Sequence, residues 1–286
     1  MTEKWPVRWD LLTRYRMIEV IALWEGRLTT RHLCSTFGIG RQQASKDINT
    51  YLQDIAPENL IYDKHLKGYK PAPGFAPAVT QGTADEYLQL LTRNQDISRT
   101  FEDIDLGFNH TETLQVPLRH IKPHIIQALV QASRDKKRVE IDYISLTTPV
   151  QETRVIAPHT LVCTGLRWHV RAYCEKNRDY RDFVLSRFRG EPELLTDSEN
   201  DKEGDHSWNK VINIKITPDP RLSKEQKQVI ARDYGMSRNC LMIKTRGATA
   251  KYMLQTLNID PKKIEIKPEA QQIIVENIED IQAHLY

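Results

Sequence analysis

The apolar period of this chain changes near Lys137. Between Asp10 and Leu52 apolar residues recur at helical spacing, which gives each helix one face to bury. Over Arg138–Ile144 they alternate, as they do in half-buried strands. A chain that switches in this way is neither one helical bundle nor one sandwich. Its 286 residues are expected to fold as an α+β multidomain protein, helical at the N-terminus and strand-rich beyond it.

Several classes drop out early. No apolar run approaches the length of a membrane span, and the first residues, Met1 to Pro6, hold no apolar signal region. The cysteines are Cys34, Cys163, Cys174 and Cys240. They form no CxxC pair and no zinc-finger spacing with histidine. They read as buried thiols in a reducing compartment. A cytoplasmic chain with no cofactor and no structural metal is expected.

Charge divides the chain further. The total is only +3. Residues 1–75 carry +3, 76–116 carry −5, 117–190 carry +7, 191–207 carry −6 and 208–286 carry +4. Basic blocks thus alternate with acidic ones. The run Glu191 to Ser207 reads as a linker or exposed loop. The prolines of Lys70 to Pro77 mark another boundary. The expected organisation is 1–75, a helical connector 76–116, a middle domain 117–190 and a C-terminal domain 208–286.

In the first unit, a helix over Asp10–Trp24 ends at Gly26. A second covers Arg31–Phe37 behind a Thr29 or Thr30 cap. After Gly38-Ile39-Gly40 a third runs from Arg41 to Leu52. Ala44, Ile48, Tyr51 and Leu52 face inward. Arg41, Gln42, Gln43, Ser45, Lys46 and Asn49 are the candidate DNA contacts. Arg and Gln can grip base edges in a bidentate way, while Lys and Ser hold phosphates. Two short strands over Leu60–Lys70, with Gly68 supplying the permissive backbone, add a basic wing. Lys64 and Lys67, with His65 and Lys70, place charge there. The pattern is a winged helix-turn-helix, and its expected partner is double-stranded DNA.

In the connector, Thr83 followed by Glu86 starts a helix to Arg93, and Ile97–His110 is less regular. A further amphipathic helix, Ile125–Ser133, opens the middle domain. Strands follow at Arg138–Ile144, Thr153–Ala157, Leu161–Cys163, Arg167–Cys174 and Tyr180–Arg187. A small, strongly bent sheet or partial barrel is implied. His169 and Arg171 lie opposite Trp168 and Val170 on their strand. Arg154, Arg171, Arg181 and Arg187 are expected to converge, near Ser145 and His159, as an anion-binding patch.

Arg154-Val-Ile-Ala-Pro-His-Thr-Leu161, Arg167-Trp-His-Val-Arg-Ala-Tyr173 and Arg181-Asp-Phe-Val-Leu-Ser-Arg187 together resemble the WYL domain. The naming Trp-Tyr-Leu triplet is Trp168-His169-Val170 here. The resemblance implies an Sm-like β-barrel that senses a nucleotide or nucleic-acid ligand. It implies pocket roles for Ser145, Arg154, His159, Arg171 and Arg187. Trp168, His169 and Arg181 complete the candidate set. The histidine in place of tyrosine changes the size and charge of the pocket. The order of domains resembles the BrxR/CapW-type repressors found beside bacterial anti-phage operons of the BREX and CBASS kinds. That likeness implies a homodimer on an inverted-repeat promoter, controlled by a nucleotide or oligonucleotide effector.

The C-terminal domain is expected to be a small α/β unit. Strands are predicted over Lys210–Ile216, Cys240–Thr245, Lys263–Lys267 and Gln272–Glu276, and helices over Ser223–Tyr234 and Thr249–Leu257. It resembles the dimerisation extension of WYL regulators. The rival class is a nucleic-acid-processing or nucleotide-binding enzyme, or an accessory subunit, using the basic middle domain. Against it, the chain has no HExxH, P-loop, Rossmann glycine run or nucleophile elbow. His120 and His124 are a weak metal hint, spoiled by Pro123. Asp103 with Asp105, and Asp179 with Asp182, read as surface carboxylates.

Overall fold

In the computed structural model of this chain, residues 8–97 and 111–286 are described, apart from 113, 115, 118, 264 and 286. Asp103, Asp105 and the irregular stretch expected up to His110 therefore lie outside the described residues. Chain contacts divide the rest into residues up to Gln115 and residues from Val116.

In the first unit, helix α1 (Trp9–Glu25) puts Tyr15, Ile18, Ile21 and Ala22 into the core. It ends at Gly26, whose φ of 70° suits glycine and whose N–H returns to Ala22 O at 3.1 Å. Helix α2 (Thr30–Phe37) follows its Thr29 cap, and α3 (Arg41–Thr50) buries Ala44 and Ile48. The third helix was expected to end at Leu52. Instead it widens into a π-helical turn over Tyr51–Ile55, with Tyr51 fully buried. Each large aliphatic side chain buried here is worth about 1.5–3 kcal/mol.

The wing consists of β1 (Leu60–Asp63) and β2 (Gly68–Pro71), paired antiparallel. Tyr69 also exchanges both backbone hydrogen bonds with Leu28, at 2.7 and 2.8 Å, which docks the hairpin on the α1–α2 loop. The permissive position is not Gly68, as expected, but Lys67, with φ 49°. Gly68 is needed for space, because a Cβ there would lie 2.8 Å from Leu28 O.

Helix α4 (Ala84–Ile97) starts with the Glu86 carboxylate accepting from Gln81 and Gly82 N–H. Leu91 is buried in the N-terminal core, and Tyr87 stacks on Trp24 at 5.8 Å. The first half of the expected connector therefore packs into the N-terminal unit.

In the second unit, α5 (Pro123–Arg134) lays Ile125, Leu129 and Ala132 on a five-stranded antiparallel sheet. Its strands are β3 (Lys137–Ile144), β4 (Gln151–Cys163), β5 (Trp168–Cys174), β6 (Asp179–Val184) and β7 (Phe188–Asp197), ordered β6-β5-β4-β3-β7. The two strands expected at 153–157 and 161–163 are one long strand with a bulge between Pro158 and Thr160. Register shifts in the β3–β7 pairing add to the bend. Among the described residues no ladder joins β6 to β7, so the barrel is partial.

The acidic run expected as a linker is largely ordered. Its first residues continue β7, because Leu194 pairs with Val139 and packs on the core. Ser198 N–H then donates to Lys136 O at 2.9 Å.

The short helix α6 (His206–Asn209) leads into a second sheet of β8 (Val211–Pro218), β9 (Leu241–Arg246) and β10 (Ile273–Val275), ordered β10-β8-β9. Ile212, Ile214 and Ile216 pack on α8 (Ala250–Thr256), while α7 (Lys224–Asp233) starts at the Ser223–Gln226 capping box. The strand expected at 263–267 does not form among its described residues.

Candidate DNA interface and effector site

The outward face of α3 is open. Arg41, Gln42, Lys46 and Asn49 are exposed and Ser45 half-buried, around a shallow concavity that Thr50 and Gln53 complete. Among the described residues the side chains of Arg41, Gln42, Lys46 and Asn49 have no hydrogen-bond or ion-pair partner. Gln43 differs. Its Nε2 donates to Asp47 Oδ1 at 2.7 Å, and Asp47 is buried beside Arg14 of α1 at 2.8 Å. Gln43 therefore braces the helix, leaving one amide N–H and its carbonyl oxygen to spare.

On the wing, Lys64 and Lys67 are exposed at the turn. Lys70, the expected extra phosphate contact, is held by Asp63 at 2.8 Å. Arg27 Nε donates to Leu66 O at 2.7 Å and fixes the tip. Sequence reasoning missed Glu19. This carboxylate is fully buried on α1 and accepts from Tyr51 Oη, from the N–H groups of Ala78, Val79 and Thr80, and from Thr80 Oγ1. It anchors the proline-rich segment behind the wing.

The expected arginine cluster is split between two faces of the middle sheet. Arg171 pairs across β6 with Asp182, whereas Arg181 pairs with Ala172, whose side chain enters the core. Arg154 pairs with the core residue Ile141, also away from Arg171. It lies over the Tyr143 ring at 5.8 Å, bonds Glu152 at 3.0 Å and keeps a buried Nε without a partner. Arg181 is exposed near Asp179. Arg187 sits on a 3-10 turn after β6, half-buried, and not on the strand. Ser145 Oγ caps its own loop at Thr147 N–H. Trp168 is 47% exposed at the β4–β5 hairpin.

What the sheet does bring together is Arg171, His159 and His169. The β4 bulge turns Thr160 to the face of Arg171 and places His159 beside it. Arg171 is only 7% exposed. Its Nε and Nη2 donate to the two oxygens of Asp205 at 2.7 and 3.1 Å, and Nη1 reaches Asp182 at 3.4 Å. This bidentate geometry is the strong form of an ion pair. Burial opposes the Arg171 charge, but Asp205 and Asp182 outweigh it and raise its pKa. Burial likewise opposes ionisation of Asp205, and Arg171 with the Trp208 N–H holds it below the ordinary carboxylate range.

His159 lies 3.2 Å from Asp205 through Nε2 and 2.9 Å from Thr160 Oγ1 through Nδ1. A carboxylate only accepts, so Nε2 carries the proton and Nδ1 accepts from the hydroxyl. Burial pushes the imidazole pKa down, keeping it neutral. Burial also pushes His169 down, to about 4, and its ring lies against Tyr252 at 4.9 Å. Tyr252 Oη donates to Asp182 Oδ2 at 2.8 Å. Asp182, expected at the surface, is thus a buried partner. Asp205, Trp208 and Tyr252 were not foreseen. Nothing in their spacing marks them, since their partners are remote in sequence.

The His120–His124 hint leads elsewhere. His124 Nε2 lies 3.2 Å from Gly190 O, and His120 is exposed. Among the described residues no group of three or more His, Cys, Asp and Glu side chains is placed to hold a metal ion, and no helix is long and apolar enough to cross a membrane. The cysteines are all free, but Cys163 is exposed, contrary to expectation.

Three family models match. They are the BrxR transcriptional regulator winged helix-turn-helix domain over residues 10–93, the WYL domain over 124–190 and the BrxR transcriptional regulator C-terminal dimerization domain over 211–281. Two of the three descriptions name a transcriptional regulator. Among characterised proteins, the chain is similar to the DNA-binding transcriptional repressor CapW of Stenotrophomonas maltophilia. The two are 32% identical over 279 residues, 96% of this chain and 92% of that protein. It is 30% identical to CapW of Pseudomonas aeruginosa, over 96% of this chain and 91% of that one. It is 32% identical to CapW of Escherichia coli strain KTE188, over 97% and 93% respectively.

Proposed function

Because this chain belongs to the BrxR/CapW-type family of WYL-domain transcriptional regulators, we propose that it is a homodimeric repressor of a phage-defence operon of the BREX or CBASS kind. It is a DNA-binding regulator with a dimerisation domain. In the proposed role it binds an inverted repeat in the promoter and releases it when a nucleotide or oligonucleotide enters the WYL domain. The observation that carries the DNA half is the unpartnered outer face of α3, with the Lys64–Lys67 wing turn also exposed. Arg41 and Gln42 stand at the N-terminal end of that helix, where side chains reach base edges in the major groove. For the effector half, His159 and Arg171 are the proposed contacts, with His169 beside them, since these candidates are gathered on one face.

The test is a titration of the full-length protein with duplex from its own upstream region and with scrambled duplex, at several salt concentrations. Tight, sequence-selective binding with a steep salt dependence is expected. Weak binding that ignores sequence overturns the repressor reading. Repeating the titration with short oligonucleotides present tests induction, which predicts a loss of operator affinity.

A further inference from the structure

The Arg171 guanidinium is built to hold an oxyanion, and in this structure an internal one holds it. Asp205 occupies both Nε and Nη2 and also receives His159 Nε2. The same carboxylate caps α6 by accepting the Trp208 N–H at 3.0 Å. Trp208 in turn lies under the Arg246 guanidinium at 4.8 Å, and its carbonyl accepts from Arg246 Nη1 at 2.8 Å. Arg246 ends β9, so the line runs from the WYL sheet into the dimerisation domain. A second line runs from Asp182 to Tyr252 on α8.

We propose that Asp205 is a built-in competitor of the effector. A phosphoryl oxyanion binds by taking Arg171 and His159 from Asp205, and the displaced carboxylate loosens α6 and the seam to the dimerisation domain. This rests on the effector reading above and adds its displacement step. The chemistry is an exchange of one anion for another, with no covalent change. A phosphate offers more acceptor oxygens than a carboxylate and more negative charge, so it suits the same bidentate donors and the neighbouring imidazole. Asp205 and Arg171 are 1% and 7% exposed. The exchange therefore requires opening of the seam, which is how occupancy would reach the dimer.

The test uses full-length wild type, Asp205→Asn and Tyr252→Phe. Asparagine is a favoured helix cap, so the first variant keeps an acceptor for Trp208 N–H while losing the charge. The second loosens the seam through Asp182 and leaves Asp205 in place. Each chain is titrated by calorimetry with inorganic pyrophosphate and with a 5′-phosphorylated trinucleotide, and by anisotropy with the upstream duplex. Asp205→Asn should bind pyrophosphate at least tenfold more tightly than wild type and bind operator at least tenfold more weakly. Tyr252→Phe should gain clearly less than Asp205→Asn, because opening is easier while the competing carboxylate stays. A gain for the trinucleotide well beyond that for pyrophosphate identifies a nucleotide end as the natural anion; equal gains identify free phosphate. Unchanged pyrophosphate affinity in Asp205→Asn, binding to no chain, or an equal gain in Tyr252→Phe overturns the proposal. If wild type binds duplex without regard to sequence, the repressor reading fails separately and the pyrophosphate comparison still decides the exchange.

Discussion

Glu19 places a carboxyl group in the middle of a hydrophobic core, and the donors around it offset the cost. Every nearby donor, from Tyr51 Oη to Thr80 Oγ1, points at the carboxylate. Replacing it with glutamine puts an amide N–H₂ where only acceptors fit. Glu19→Gln should therefore lose about 2–4 kcal/mol of stability in the N-terminal unit. Thermal unfolding should show that transition fall while the transition of residues 116–286 stays in place. The buried imidazole of His169 acts in the other unit. Its folded pKa is about 4, chiefly through burial, against about 6.5 when unfolded. As pH falls the unfolded chain takes up the proton first, so stability is full above about 6.5 and is lost toward 4. Between pH 7 and 5 the loss is about 2 kcal/mol for this one group. His159 adds to it, since its pKa is lowered too. Melting at pH 7 and pH 5 should show the difference, and His169→Gln should remove its own share. Glu19 was illegible in the sequence as a site, and His169, a candidate ligand contact there, was not legible as a buried group. Glu19 falls within an ordinary helix pattern, and the faces of Trp168–Cys174 were readable without showing that His169 and Arg171 would be covered.

At the scale of elements the sequence was far more informative. The caps, glycine stops and apolar spacing of α1, α2 and α3 are local signals, and the helices follow them within a few residues. The wing was legible as a hairpin, but the reason for Gly68 was not. That reason is the carbonyl of Leu28, forty residues earlier in the chain. The same logic separates the DNA contacts. Arg41 and Gln42 project without partners and should read bases. Alanine at either position should narrow the gap between operator and altered operator by about tenfold at the affected base pair. Lys67 lies on the wing turn and meets phosphate in this reading. Lys67→Ala should weaken operator and scrambled duplex alike and reduce the salt slope by about 1. Anisotropy titrations at several salt concentrations check both. An operator-selective loss in Lys67→Ala would place the wing on bases instead.

For the whole molecule, composition says least about the joints between domains. Residues 191–207 looked like a linker because they are acidic and polar. Yet the run supplies partners to Arg171 and to β3. Leu194 packs on the core from β7, and Asp205 neutralises the arginine. A local window cannot show this, because the partners come together only after the sheet forms. The WYL sheet and the dimerisation domain should consequently melt as one unit. Calorimetry of the full-length protein should resolve two transitions, one for residues up to 115 and one for the remainder. Replacing Arg171 with methionine strands Asp205 and Asp182 as buried carboxylates and should cost about 3–5 kcal/mol. For a unit of this size that lowers the second transition by roughly 6–20 °C. The fall should come with a split of that transition into two and no change in the first. A third transition in wild type would mean that the two domains are not coupled, and a single lowered transition in Arg171→Met would mean that something other than this seam couples them.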